Sequence, residues 1–80
     1  MSEIQNVSSI EQYVIDYVIK LRKKHNLTQE DIASVIGAQR TFVTNVENAK
    51  SRAKYNLTHI NKLADHFDLS PRDFLPINSI

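Results

Sequence analysis

The sequence predicts an all-α domain of five short helices. Two observations carry that expectation. Apolar residues recur at three- and four-residue spacing in several segments, and no segment alternates apolar with polar as a half-buried strand would. The only glycine, Gly37, stands between two short amphipathic segments, residues 28–36 and 39–48. Glycine reaches the left-handed backbone region at little steric cost, so it suits the residue just past a helix end. Placed here, it marks a corner where two helices meet steeply, a helix-turn-helix.

Each element has its own signal. Residues 1–7 read as a tail. Ser8 with Glu11 fits the Ser-x-x-Glu capping box that opens a first helix. Ile10, Tyr13, Val14, Tyr17, Val18 and Leu21 then form one apolar stripe. Arg22, Lys23 and Lys24 complement the negative end of that helix, and Asn26 is a stop. Thr28 opens the second helix, its hydroxyl placed to accept from the amide of Asp31. Ile32, Ala33 and Ile36 form its inner face, and Gly37 ends it. The third helix starts at Gln39 or Arg40 and runs to Asn48, with Val43 and Val46 inward. Residues 49–55 are a basic loop. Asn56 caps a fourth helix carrying Leu57, Ile60, Leu63, Ala64 and Phe67. Ser70, Pro71 and Asp73 open a fifth by cap, first-turn proline and acidic third position. Phe74 and Leu75 would plug the base of the core, and Pro76 stops the chain's last helix. The domain thus spans residues 8–76, with a tail at 77–80.

Eighty residues bound this to one domain with a small core and marginal stability. There is no cysteine, which excludes disulfides and thiol chemistry. No apolar run approaches the ~20 residues that cross a bilayer, and the N-terminus lacks a basic-then-apolar leader pattern. A cytoplasmic protein is the expectation. An enzyme is not expected, nor a cofactor or bound metal. His59 and His66 share a helix face but have no third ligand at metal spacing, and there is no glycine-rich phosphate loop.

Net charge is only +1, yet it is unevenly spread. From position 20 to 54 there are eight basic and three acidic residues, a balance of +5; the remainder holds two basic and six acidic, a balance of −4. Such segregation suits a face turned to phosphate, although ordinary surface clustering also produces it. At roughly 100° per residue, Thr41, Thr44, Asn45 and Asn48 fall away from the inward valines, with Arg40 on one flank. Arginine pairs with guanine, asparagine with adenine, and a threonine methyl packs on a thymine methyl. Arg40, Thr41, Thr44 and Asn45 are therefore the candidate base-reading residues. Gln29, Gln39, Asn48, Lys50, Arg52 and Lys54 flank them as candidate phosphate contacts.

The stretch LTQEDIASVIGAQRTFVTNVENAK resembles the Cro/phage-repressor (XRE-type) helix-turn-helix proteins. The likeness covers roughly residues 14–75. It rests on Leu27-Thr28-Gln29, Ala33, Gly37, Val43, Val46, Glu47-Asn48 and the closing Leu69-Ser70-Pro71 with Phe74-Leu75. It implies a compact five-helix, lambda-repressor-like domain that binds double-stranded operator DNA, usually as a homodimer. It also implies a structural ion pair between Arg22 and Glu47, with phosphate contact the lesser role for Arg22. Three positions depart from the family pattern. Gln39 replaces a Ser or Thr cap, Ala49 replaces a glycine, and Ile15 and Ile19 are apolar where polar residues are usual. The two isoleucines would either pack on the tail at 77–80 or mark a dimer or partner surface. The rival reading is a protein-interaction adaptor or an antitoxin-type module, because fold alone does not fix function.

Overall fold

The computed structural model describes residues 6–80. It contains four α-helices, α1 (Ser9–Lys24), α2 (Gln29–Ile36), α3 (Arg40–Val46) and α4 (Leu57–Phe67), followed by a 3-10 helix at Pro71–Phe74. No strand occurs among the described residues. The fifth α-helix expected from the sequence is therefore a single 3-10 turn. Only four residues separate the Ser70 cap from extended Leu75, and the Leu75 amide donates to the Arg72 carbonyl in the tighter three-residue pattern. The third helix also ends early, at Val46. Beyond it Asn48 builds its own turn, its Oδ1 accepting from the Lys50 amide at 3.0 Å and its carbonyl from the Ser51 amide at 2.9 Å.

One device opens four of the five helical segments. In each, the cap side chain accepts from a first-turn amide, and the side chain of the third residue accepts from the cap amide. The pairs are Ser8 with Glu11, Thr28 with Asp31, Asn56 with His59, and Ser70 with Asp73. Reciprocal capping satisfies two backbone donors that the helix itself leaves open. Helix ends are equally defined. Gly37 takes φ 73°, as expected for its corner, and Asn26 takes φ 57°. Asp68 does the same at φ 58° to end α4, a stop the sequence does not advertise. Ala49 is not among the positive-φ residues, so no glycine is needed there.

The core draws on every element: Val14, Ile15, Val18 and Leu21 of α1, Ile32, Ala33 and Ile36 of α2, Val43 and Val46 of α3, Ile60, Leu63 and Ala64 of α4, with Tyr55 and Phe74. Helix α2 packs on both α3 and α4, and the 3-10 helix packs on α4 and α1. Phe74 is fully buried and meets the Tyr17 ring edge-on at 4.8 Å. The buried face of α1 is rotated from the expected stripe. Ile15 lies inside at 2% exposure, which removes it as a partner surface, and Ile19 packs against the core as a half-buried neighbour. Ile10 and Tyr13 are exposed instead, as are Leu57 and Leu75. Ile77 is wholly exposed, so the tail does not cover the isoleucines. At the other end, Val7 packs on the core and Asn6 donates to the Lys50 carbonyl at 2.7 Å.

Two predictions follow from caps and corners. A Cβ at Gly37 would meet only the Lys62 Nζ at 3.7 Å, so Gly37→Ala carries backbone strain alone, about 1–2 kcal/mol in urea unfolding. Asp68→Gly removes the same strain and should stabilise by about 1 kcal/mol. The second concerns pH. The Asn56 amide donates to His59 Nδ1 at 3.1 Å, a bond only an unprotonated Nδ1 accepts. Burial, and then the Lys62 charge, hold the His59 pKa below its usual 6.5. As pH falls below that value the unfolded chain takes up the proton first, so this contribution to stability is present above about pH 6.5 and is lost on acidification. The melting temperature should fall between pH 7 and 5, and less so in His59→Gln, whose side-chain oxygen still accepts.

Candidate nucleic-acid interface

Helix α3 lies across the corner formed by Gly37, with Val43 and Val46 buried beneath it. Arg40, Thr41, Thr44 and Asn45 are all exposed, so the four candidate base-reading side chains share the open side of one short helix. Alone among the helices, α3 has no side-chain cap; its N-cap, Gln39, makes no capping hydrogen bond and its side chain is exposed. Phe42 is half-buried at the edge, its ring 5.2 Å from His59 and 6.1 Å from Tyr55. Gln39, Thr41, Asn45, Phe42 and His59 line a shallow depression beside the helix. His59 was not legible as part of this surface, because α4 reaches α3 only through tertiary packing.

Behind α3 lies a part-buried polar network that reaches the surface at Thr44. The Arg22 guanidinium grips Glu47 side-on, Nε to Oε2 at 3.0 Å and Nη2 to Oε1 at 2.9 Å, and its Nη1 donates to the Leu27 carbonyl at 3.2 Å. The two side chains are 17% and 9% exposed. Gln29 Nε2 donates to Glu47 Oε1 at 3.0 Å, and the Thr44 hydroxyl donates to Gln29 Oε1 at 2.9 Å. One chain of bonds thus runs from the end of α1 through the start of α2 to the face of α3. Arg22 and Glu47 form the ion pair that the resemblance implied. Gln29 does more than a phosphate contact requires, since both ends of its amide are already engaged inside the protein. Nearby Tyr55 is buried, and that burial, reinforced by the Glu47 charge, pushes its pKa well above the ordinary phenol value.

The flanks are uneven. Asn48, Lys50 and Arg52 are exposed on the segment that follows α3. Lys54 is not brought to them as a free cation: its ammonium lies 3.1 Å from Glu11 Oε2, at the opening of α1. That contact and the Ser8 capping bond hold the Glu11 carboxyl below its usual pKa, the capping bond being the larger cause.

A family model described as Helix-turn-helix matches residues 18–74. The chain belongs to the Cro/phage-repressor (XRE-type) helix-turn-helix family. No curated protein and no solved structure matches it. The match spans α2, Gly37 and α3, and it reaches back to Arg22 and forward to Phe74, so the helix-turn-helix and its ion pair lie within one matched unit. Among the described residues, no helix is long and apolar enough to cross a membrane, and no group of His, Asp or Glu could hold a metal ion.

Removing one partner of this part-buried, doubly bonded ion pair strands the other, so Arg22→Ala and Glu47→Ala should each cost about 1.5–3 kcal/mol. In a double-mutant cycle read by urea unfolding, the double variant should lose clearly less than the summed single losses. Strict additivity would show that the pair is not energetically coupled.

Proposed function

We propose that this helix-turn-helix protein is a sequence-specific regulator of transcription, repressor-like in action, that lays α3 in the major groove of duplex DNA. The observation that carries this reading is the held, exposed and nearly uncharged face of Arg40, Thr41, Thr44 and Asn45. Behind it lies a part-buried ion pair. Arg40 reads a guanine, Asn45 an adenine, and Thr41 and Thr44 meet single edges or methyl groups. Gln39, Asn48, Lys50 and Arg52 anchor phosphates on either side, and Gln29 contributes through the remaining proton of its amide. The protein acts in the cytoplasm, without catalysis or a cofactor. Two copies read half-sites about one helical turn apart, ~34–36 Å.

A second reading has its own observation. Leu57 is 78% exposed, and with Ile10 and Leu75 it borders an apolar groove that contains no residue of α3. An adaptor or antitoxin-type module would use such a surface for a protein partner. Selection from randomised duplexes at two salt concentrations separates the readings. Enrichment of a palindrome supports the regulator; no enrichment at either salt overturns it, and a partner protein then recovered by pull-down favours the adaptor.

Two variants give the regulator its signature. Arg40→Ala should cost about 1–3 kcal/mol on the selected site and relax preference at one base pair. Lys50→Ala should weaken all sequences alike and lower the slope of log affinity against log salt by about one unit. An unchanged slope in the lysine variant would remove Lys50 from the phosphate contacts.

A further inference from the structure

The network behind α3 has a direction, and that direction reaches the exposed surface. A guanidinium only donates, and an ionised carboxylate only accepts. With Arg22 locked on Glu47, the atom 3.0 Å from Glu47 Oε1 has to be the Gln29 amide nitrogen. Turned over, the Gln29 carbonyl would face a carboxylate oxygen with no proton between them. The orientation of Gln29 is thereby fixed by chemistry, and its carbonyl points at Thr44. A carbonyl cannot donate, so Thr44 Oγ1, 2.9 Å away, gives up its single proton to it. What Thr44 has left for an outside partner is lone pairs.

We infer that Thr44 is a specificity-determining residue that accepts but does not donate, and that Gln29 is the positioning residue that imposes this polarity. The inference rests on the duplex-binding reading and sharpens it. An unconstrained threonine hydroxyl pairs with either kind of base edge. Thr44 selects a base that presents an exocyclic amino group in the major groove, adenine N6 or cytosine N4. Against guanine O6 or thymine O4, oxygen meets oxygen with no proton to share. One neutral hydrogen bond of this kind corresponds to about threefold to tenfold discrimination at one base pair of each half-site.

Two measurements test it. Neutron diffraction from the free, deuterium-exchanged protein reads the hydroxyl directly. The deuteron should lie between Thr44 Oγ1 and Gln29 Oε1; one directed to solvent overturns the inference without touching the duplex-binding reading. Selection from randomised duplexes is then run on the wild type, Thr44→Val and Gln29→Met, each checked for a cooperative melt. The wild type should enrich adenine or cytosine at one position per half-site. Thr44→Val keeps the shape but removes the acceptor, so that position should lose its preference while the others keep theirs. Gln29→Met frees the hydroxyl proton, so the same position should admit guanine and thymine as well, whatever happens to total affinity. If Thr44→Val changes no position, or if the position it changes favours guanine or thymine, the inference fails although the protein still selects duplexes. If the wild type enriches nothing, the duplex-binding reading fails and takes this inference with it.

Discussion

The Arg22–Glu47 pair is the constraint on which the remaining structure depends. It joins the end of α1 to the end of α3, and through Leu27 and Gln29 it also fixes the start of α2. The ends of three helices meet at one pair of charges. The pair is nearly closed off from water, so its attraction is weakly screened and its loss would leave a bare charge inside. Side-on arginine–carboxylate geometry allows little rotational slack, which turns an electrostatic contact into an alignment device. The valines beneath α3 supply adhesion without direction. The ion pair supplies the direction.

The rest of the molecule can be understood as freeing α3 from other duties. Four reciprocal caps define where the other helical segments start, so their boundaries do not depend on the surface of α3. The left-handed backbone at Gly37 turns the chain from α2 into α3. Lys54 and Glu11 neutralise each other near the start of α1, while Lys50 and Arg52 stay exposed beyond α3. The field that a polyanion would meet is thus concentrated on one flank.

Much of this was legible in the sequence because it is local. Ser8, Thr28, Asn56 and Ser70 announce their helices through partners three residues on, and Gly37 announces its corner. The inward set of α3 followed from the spacing of Val43 and Val46. What failed was coverage. Periodicity shows which residues share a face but not whether another element lies over each end of it. Ile10, Tyr13 and Leu57 continue apolar stripes past the point where anything packs on them, and Ile15 sits where α1 meets more of the core than its stripe suggests. The last helix differs in type from its sequence signals, since Pro71–Phe74 has room for one tight turn only. The link from Gln29 to Thr44 was hidden for a different reason. It joins two helices across fifteen positions, and each residue taken alone reads as a separate contact to an outside partner.

Helix α3 is seven residues long. That is below the length at which a helix persists in water by itself, so its conformation is borrowed from the domain that carries it. A small core unfolds cooperatively, and the borrowed shape disappears with it. Warming therefore does not loosen this surface by degrees; it switches molecules from competent to blank. Any occupancy governed by α3 inherits the melting curve of the whole domain.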